Sequence, residues 1–397
     1  MDPRGKVTIS RTLDVDDSSV FMASLVAIRL QRNDGTVLWE NDRPSSTFYL
    51  RSIMFKFTKE TQTTVAALKA GISREIETLQ PTTLKKVKIV HELMMTMIDG
   101  KITSYLSETS TVVCDICKAK PTQMNNLESH NLRDNDEEMY QYGLSSLHAW
   151  IKCMECLLHI AYRLEVKKWS CRGDDKDKIK IRKSAIQRAF KEECGLLIDV
   201  VKQGAGSTND GNTARRFLKN KATTARITGI NEQLIENFYV ILQAIASGER
   251  VDHTKFSIFC NETAELYVKL YPWYYMPSSV HKLLMHGADI IKHFGAIPIG
   301  KLSEEAAEAR NKDFRHYREN HSRKINRIAT NEDIFHNLLL SSDPKITSLR
   351  PRMTKQNVLL LSPKAKELLH LSTEPEELEF INIESNLENL QNSSDSE

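Results

Sequence analysis

The sequence has no long apolar run and few residues that break secondary structure. Among its 397 residues no hydrophobic stretch approaches the ~20 residues that a helix needs to cross a bilayer. The opening MDPRGKVTIS lacks the apolar segment of a secretory signal peptide. Glycine (15) and proline (11) are scarce, which excludes collagen-like and low-complexity proteins. The seven cysteines, an odd number without a secretory pattern, favour a reducing intracellular compartment over a disulfide framework. We therefore expect a helix-rich globular protein with no membrane partner.

Positive and negative charge occupy different parts of the chain. The net charge is only +3, but residues 374–397 hold eight acidic side chains and neither lysine nor arginine. Without that segment the net charge rises from +3 to +11. A basic body with an acidic, Asn- and Ser-rich tail is typical of nucleic-acid-binding proteins with a disordered regulatory end, although proteins that bind no nucleic acid also show it.

The start of the chain predicts antiparallel strands. Residues 5–31 are compatible with strands, and Val20–Leu30 is a continuous apolar run. Asn33–Gly35 (Asn-Asp-Gly) is a strong hairpin signal, so Thr36–Glu40 is expected to return as the paired strand. A helix is then predicted over residues 59–80.

The next apolar segment ends in an aspartate. Val87–Met97 predicts a buried strand that is followed by Asp99. An aspartate at the carboxyl end of a central strand lies where α/β sheets concentrate metal and phosphate chemistry. The alternative is an ordinary turn formed with Gly100. Together these segments predict an α/β or α+β chain that is rich in helix.

Four of the cysteines form two C-x2-C pairs. Cys114 and Cys117 follow a strand-like segment and are typical of half a zinc site. Cys153 and Cys156 lie three residues apart in a helix predicted over residues 144–169, so we interpret them as core residues. The alternative is a zinc site made by all four cysteines.

Two histidines, His281 and His286, have four residues between them. This spacing is longer than the i, i+4 pair that binds zinc on one regular helix, but it lies within the H-x3–5-H range of structural zinc sites. Taken alone, two such histidines are more often surface or core residues than ligands. The spacing by itself therefore leaves their role open.

A long charged helix is predicted over residues 303–330. Ser303 is a suitable N-cap, and Glu305 and Glu308 share one face of the helix. The basic residues that follow are Arg310, Lys312, Arg315, Arg318, Arg323, Lys324 and Arg327. A carboxylate pair followed by basic residues suits a site that holds Mg²⁺ or Mn²⁺ beside a polyanion. The alternative is an exposed surface helix with internal salt bridges.

Two further segments suit contact with DNA. Residues 204–217 are small, polar and glycine-bearing, and they lead into a helix with Arg215 and Arg216 that can approach a phosphate backbone. They lack the order of a P-loop, and a flexible loop with a good N-cap is the alternative. Residues 271–277 are an aromatic cluster in which Trp273 can stack on an unpaired base, although such residues are usually core.

The order of these motifs resembles the catalytic core of the V(D)J recombinase catalytic subunit (recombination-activating protein) and of Transib-type DNA transposases, especially transposon-derived members. The resemblance extends over roughly residues 5–345. It is carried, in this order, by the strand ending in Asp99, Cys114/Cys117, Asn209–Arg216, Leu266–Lys269 with Trp273, His281/His286, and Ser303–Arg318.

The resemblance implies an RNase H-like fold, interrupted by a helical zinc-binding insertion, that cuts DNA with three carboxylates and Mg²⁺ or Mn²⁺. Asp99 matches the second aspartate, and Glu308 the glutamate, with Glu305 as the alternative. Asp14, with Asp16 behind it, is the best match to the first aspartate. The implied ligands of a structural zinc ion are Cys114, Cys117, His281 and His286. The residues expected to bind DNA are Arg215, Arg216, Lys269, Arg315 and Trp273.

Four parts are expected. They are residues 1–110 (N-terminal part of the RNase H-like core), 111–290 (helical insertion with the zinc site), 291–345 (catalytic-glutamate helix and C-terminal helices) and 346–397 (disordered acidic tail). The chain begins within the first strand of the family core, so we expect an N-terminally truncated or transposon-derived member, located in the nucleus.

The expected function is metal-dependent DNA nicking and strand transfer, with activity dependent on a complete carboxylate triad. One alternative is a domesticated, non-catalytic DNA- or chromatin-binding protein on the same fold, and another is an unrelated helical scaffold. The expected partners are DNA, a second copy of the chain and an accessory protein.

Overall fold

The computed structural model describes residues 20–96, 98, 100–202, 206–350 and 361–370. Within these residues the chain is α+β and rich in helix. The strands are β1 (Val20–Leu25), β2 (Arg29–Gln31), β3 (Val37–Glu40), β4 (Arg51–Phe57), β5 (Thr82–Leu84) and β6 (Val87–Ile89). The helices are α1 (Gln62–Glu77), α2 (Gly100–Leu106), α3 (Ser146–Arg163), α4 (Asp174–Cys194), α5 (Gly211–Lys219), α6 (Lys221–Thr228), α7 (Glu232–Ala246), α8 (His253–Leu270), α9 (Ser278–His281), α10 (Gly287–Phe294), α11 (Glu305–Asn320), α12 (Arg327–Ser341), α13 (Pro344–Ser348) and α14 (Pro363–Glu367). A π-helical turn, Lys282–His286, joins α9 to α10.

The strands form three separate antiparallel pairs. β1 pairs with β4, and Met22 lies opposite Phe55. β2 pairs with β3 across a turn at residues 32–35, which confirms the predicted hairpin. β5 pairs with β6. In the part of the chain that the structure describes, no sheet has more than two strands.

The buried strand predicted over Val87–Met97 is wrong. Among residues 87–96, which the structure describes, only those of β6 form a strand, and its partner β5 is equally short. Val87 and Val90 are 61% and 73% exposed, so the apolar run does not face a core. An apolar run is buried only where other elements cover it, and here a three-residue strand pairs with one edge of β6.

The main core lies among the helices between residues 114 and 302. α3 and α7 pack together at its centre, and α8 packs on α7. The apolar residues of α3 recur at helical spacing, and Trp150, Met154 and Leu157 are fully enclosed by this packing. The helices predicted over residues 59–80 and 144–169 are confirmed as α1 and α3.

A smaller core joins the β1–β4 pair to the C-terminal helices. Phe314 of α11 is buried with Ile334 and Leu338 of α12, and Met22 and Phe55 pack against them. The rings of Phe55 and Phe314 meet edge to face with centroids 6.1 Å apart. The first strands and the charged helical region are therefore packed on each other.

The single helix predicted over residues 303–330 is instead two helices. α11 ends at Asn320, and α12 begins at Arg327. Asn326 caps α12, because its side-chain oxygen accepts the N–H of Ala329. In the break, Arg323 Nη2 lies 2.9 Å from Asp333 of α12. The cap at Asn326 and the ion pair of Arg323 favour two separate helices over one continuous helix.

Arg310 is not part of an exposed basic surface. Its side chain is fully buried, and its guanidinium donates hydrogen bonds to the main-chain carbonyls of Thr47 and Leu50. It also donates to Ser341 Oγ over 2.7 Å. A buried arginine needs several acceptors, and these come from the loop before β4 and from α12. Arg310 is therefore a structural residue.

Residues 361–370 lie within the segment from residue 346 that was expected to be a disordered tail, but they include a helix. Helix α14 follows an N-cap at Ser362, and Ala365, Leu368 and Leu369 are buried. The composition of the segment from residue 346 did not predict that these apolar residues pack on α7.

Of the helices described, none combines the length and the apolarity needed to cross a lipid bilayer.

Candidate metal centre

The loop with Cys114 and Cys117 is closed by main-chain geometry. The N–H of Cys114 donates to the carbonyl of Ala119 over 3.0 Å, and Lys118 adopts φ 54°, in the left-handed region. This reversal places the two sulfur atoms within 4.8 Å of each other. Both cysteines are buried. The C-x2-C spacing thus forms half of a ligand set, as predicted.

A π-helical turn brings His281 and His286 together. His281 ends α9, and His286 ends the π turn. On a regular α-helix, residues five apart point about 140° away from each other. The wider π turn hydrogen-bonds i to i+5, which brings positions i and i+5 towards one face. The spacing of His281 and His286, which is too long for one face of a regular helix, therefore lets both side chains lie on one face of this π turn.

The four side chains form one group. Their ligand atoms all lie within 4.8 Å of one another, and His281 Nε2 is 3.3 Å from Cys117 Sγ. Among the described residues, neither ring nitrogen of the buried His286 has a hydrogen-bond partner, nor does His281 Nδ1. A buried polar atom without a partner costs about 1–3 kcal/mol, so a metal ion fits as the partner of one ring nitrogen of His286. Two sulfurs and two imidazoles are a donor set typical of tetrahedral zinc.

The two thiols titrate differently. A hydrogen bond with Cys114 lowers the pKa of Cys117, and His130, His281 and His286 lower it further, against the effect of burial. The same bond raises the pKa of Cys114. Burial lowers the pKa of His281 and favours its neutral imidazole. A thiolate and neutral imidazoles are the forms that bind a metal ion, and the second thiol would release its proton on binding.

A third histidine, His130, lies beside this group. Its ring centroid is 4.9 Å from that of His286 and 5.7 Å from that of His281. Its buried Nδ1 has no hydrogen-bond partner in the described part of the chain. Sequence analysis missed it, because a histidine in a polar loop after the cysteine pair is a weak signal. It is placed to contact a ligand of the metal rather than the metal itself.

Polar contacts tie the two ligand-bearing segments together. Lys282 Nζ lies 2.8 Å from Asp115 Oδ2, in a pair that is largely buried. The Ser278 hydroxyl donates to the carbonyl of Thr111 over 2.7 Å. Asn125 Oδ1 accepts the N–H of Met276 over 2.8 Å. The protein itself therefore contributes to the alignment of the cysteine loop and the histidine helix.

Cys153 and Cys156 are core residues, as interpreted from the sequence. Both are buried on α3, and Cys156 Sγ lies 3.4 Å from Tyr267 Oη. Burial raises the pKa of Cys156 to about 12, which keeps it a thiol. The ligand group instead pairs the first two cysteines with the histidines, so the four-cysteine alternative is set aside.

A second polar cluster lies where α3 and α11 begin. Glu304 is only 6% exposed, accepts a hydrogen bond from Ser145 Oγ, and lies 2.9 Å from His148 Nδ1. Burial alone would raise the pKa of Glu304, but the bonds to His148 and Ser145 outweigh it, and the pKa is lower than usual. Its Oε2 has no hydrogen-bond partner among the described residues. Sequence analysis considered Glu305 and Glu308 and missed this carboxylate.

The other glutamates of α11 have different environments. Glu308 is exposed. Glu305 pairs with Arg215 of α5, whose guanidinium also lies 5.7 Å from the centroid of the Trp150 ring. Arg216 donates to the carbonyl of Cys194 over 2.8 Å. Arg215 and Arg216, two of the residues expected to bind DNA, thus contact protein groups.

The remaining predicted DNA-binding residues lie in two places. Lys269 is exposed near the end of α8. Trp273 is half-buried, with its ring edge to face with Tyr271 and Tyr274 at centroid distances of 6.4 and 5.9 Å. Arg315 is half-buried on α11. None of these three residues belongs to the group of four ligand residues.

Asp14 and Asp99 lie outside the described residues, so the predicted three-carboxylate site has only Glu308 in the described part of the chain.

In comparison with known proteins, the sequence matches no protein-family model and none of the curated proteins.

Proposed function

We propose that this chain is a zinc-stabilised DNA-binding protein related to the V(D)J recombinase catalytic subunit and Transib-type transposases. One observation carries the proposal. The motif order implies Cys114, Cys117, His281 and His286 as one ligand set, and these side chains lie together although 164 positions separate Cys117 from His281. A nuclear location and a homodimer belong to the same proposal.

The proposed role of zinc is structural. The thiolates of Cys114 and Cys117 and the imidazoles of His281 and His286 would hold the ion. The resulting cross-link would fix the cysteine loop against the helix of residues 278–294. All four residues are protein ligands and all are buried, which leaves no open position of the kind that catalytic zinc uses.

DNA binding is supported by charge. The chain without residues 374–397 carries a net charge of +11, and Lys269 offers an exposed lysine on the helical body. Lysines and arginines that neutralise phosphates supply most of the affinity for DNA and make it sensitive to salt. We expect binding that weakens steeply as ionic strength rises.

Metal-dependent strand cleavage within an RNase H-like core is the activity that the resemblance implies. Its support is the carboxylate-rich start of α11. The segment before Asp99 approaches this place, because a Cβ on Gly143 would lie 3.0 Å from Thr96 Oγ1, and Gly143 is two positions from Ser145, which holds Glu304. Mg²⁺ or Mn²⁺, when bound, would supply the charge that polarises a phosphodiester. Glu304, as well as Glu308, is a proposed carboxylate of this site.

A second candidate function is DNA binding without cleavage. It is favoured by the state of the predicted residues: Glu308 faces solvent, and Arg215 is occupied by Glu305. In this case the basic body and the zinc site would serve a binding protein, and the carboxylates would stabilise the start of α11 through the helix dipole.

The first experiment measures binding of the full chain to a fluorescent DNA duplex at several salt concentrations. The logarithm of affinity should fall linearly with the logarithm of salt. Lys269→Glu should weaken binding at least about threefold, whereas Lys345→Glu, an exposed control on α13, should leave it unchanged. Affinity that is independent of salt would contradict DNA binding of this kind.

The second experiment separates the two candidate functions. Supercoiled plasmid is incubated with Mn²⁺ and with wild type, Glu304→Gln, Glu308→Gln or the control Glu319→Gln, an exposed glutamate at the far end of α11. Cleavage by wild type and Glu319→Gln, lost in Glu304→Gln or Glu308→Gln while DNA binding persists, supports the recombinase-like function. Salt-dependent binding without cleavage supports the second function. Equal cleavage by all four proteins would contradict the carboxylate assignment.

A further inference from the structure

Residues 361–370 bind the helical core as a compact segment. The segment folds into α14, and the Ser362 hydroxyl accepts the N–H of Ala365 to cap it. Ala365, Leu368 and Leu369 are 0%, 5% and 4% exposed. The residues between and before them, Pro363, Lys364, Lys366 and Glu367, are exposed. The segment therefore has one apolar face, and that face is covered.

Main-chain hydrogen bonds attach the end of the segment to the turn after α7. Leu369 forms an antiparallel bridge with Val251. The N–H of Asp252 donates to the carbonyl of Leu368 over 2.9 Å, and the N–H of His370 donates to the carbonyl of Arg250 over 2.8 Å. Addition of a short extended stretch to exposed backbone is a common way for proteins to bind peptides.

Side chains of α7 hold the start of the segment. The N–H of Ser362 donates to Oε1 of the buried Gln243 over 3.2 Å. Lys364 Nζ lies 3.3 Å from Glu236 Oε2, while Lys221 holds the other oxygen of that carboxylate. These contacts, like the main-chain bonds, are made with α7 and the turn that follows it.

We infer that α7 and residues 250–252 form a peptide-docking groove, and that residues 361–370 are its ligand, bound by features that a separate peptide would also carry. The features are a serine cap, a proline, a small residue three positions after the serine, and two leucines at six and seven positions after it. A lysine two positions after the serine meets Glu236. The groove therefore fits short Ser-Pro peptides with a paired-leucine end.

Residues 361–370 bind the groove more readily than a separate peptide does, because they belong to the same chain. A tethered ligand faces its site at an effective concentration in the millimolar range. Two leucines, one alanine and a few main-chain bonds are expected to give a free peptide a dissociation constant on the order of 10 µM. The tethered segment should then keep an added peptide out by about 100-fold.

The test opens the groove in the full-length protein. Leu368→Asp with Leu369→Asp removes the anchors, and the matched control places aspartate at the exposed neighbours, Lys366→Asp with Glu367→Asp. A fluorescent peptide of residues 360–371 is titrated into each protein, and anisotropy is measured. The anchor variant should bind the peptide saturably, and wild type and the control should bind it about 100-fold more weakly. Equal binding by wild type, or no binding by the folded anchor variant, would overturn the inference.

A second measurement does not depend on the folding of that variant. A protease site is placed within residues 351–360 of the otherwise unchanged chain and then cut. The fragment that carries residues 361–397 should co-elute with the core at concentrations well above about 10 µM and separate on dilution. Complete separation at every concentration would show that the contacts hold only as part of one chain, against the inference.

Discussion

Three histidines surround Cys117, but only His281 and His286 belong to the four-ligand group. His130 contacts both of their rings and presents a buried nitrogen without a protein partner among the described residues. A residue in this position orients a ligand and adjusts its basicity. Substitution of such residues typically lowers metal affinity by about 10- to 100-fold.

We expect His130→Ala to weaken zinc binding by about 10- to 100-fold without removing the site, because the four ligands remain. His286→Ala should remove the site. Competition with a chromophoric chelator measures the affinity in each protein. The control is His336→Ala, an exposed histidine on α12. Wild-type affinity in His130→Ala would assign that residue to packing alone.

The low pKa of Glu304 has a consequence for stability. A carboxyl whose pKa is lower in the folded than in the unfolded protein stabilises the fold above its unfolded pKa, and that contribution is lost as pH falls through the folded pKa. The cause is the hydrogen bonding from His148 and Ser145, which outweighs burial. Glu304 should therefore contribute to the loss of stability on acidification below about pH 4.5.

Glu304→Gln should make the melting temperature fall less steeply between about pH 5 and pH 3 than in wild type, because the neutral amide has no proton to gain. At neutral pH the variant should be less stable, since the charge-assisted bonds are lost. Thermal melts across this range test both effects. Glu308→Gln, at an exposed position, should reproduce the wild-type slope, and an identical slope in Glu304→Gln would contradict the assignment.

At the scale of elements, irregular backbone geometry determines which side chains are brought together by a given spacing in the sequence. The π turn Lys282–His286 brings together two histidines that a regular helix would separate. The break at residues 321–326 divides a charged stretch that helix propensity would continue. Both features depend on packing and capping around them.

At the same scale, alanine substitutions at two glycines are expected to change the stability of the protein in opposite directions. Gly71 lies inside α1 with no atom near a would-be Cβ, so Gly71→Ala should stabilise the protein by about 0.5–1 kcal/mol through helix propensity. At Gly300, a Cβ would lie 2.7 Å from the backbone nitrogen of Gly248 and 2.9 Å from the carbonyl oxygen of Ile245. Gly300→Ala should destabilise by about 1–3 kcal/mol. Denaturant unfolding measures both, and a neutral Gly300→Ala would show that the two segments can separate freely.

At the scale of the whole molecule, the Cys/His group connects distant parts of the chain. The cysteine loop precedes α3, whereas the histidines follow α8, so a metal ion would cross-link the two ends of the helical core. Binding of a metal to a site that exists only in the folded protein adds directly to the free energy of unfolding.

Removal of the metal should therefore lower the free energy of unfolding of the protein. We expect purified protein to contain about one zinc per chain, and a strong chelator to lower its melting temperature by several degrees or more. Cys117→Ser should contain little zinc and should be insensitive to the chelator. Full zinc content in Cys117→Ser, or a wild-type protein that melts identically with and without chelator, would contradict a structural site.

Local features of the fold followed from the sequence. The hairpin of β2 and β3 was evident from Asn33–Gly35, and α1 and α3 from their periodicity, because turn chemistry and amphipathic spacing act over a few residues. Burial of Cys153 and Cys156 followed from the same periodicity. The strand expected over Val87–Met97 was wrong, since burial of an apolar run depends on which distant elements cover it.

The resemblance implied that the cysteine pair and the histidine pair form one ligand set, whereas the spacing of the residues alone left the role of the histidines open. By themselves, the residues determined a cysteine pair, a histidine pair and a basic body with an acidic end. Only the tertiary structure decided that the two pairs lie together in space, that the half-buried His130 lies beside them, that Glu304 and Arg310 are buried, and that residues 361–370 dock on α7. Spacing along a chain constrains neighbours within a turn or two, whereas burial and pairing across the chain depend on packing that no short pattern contains.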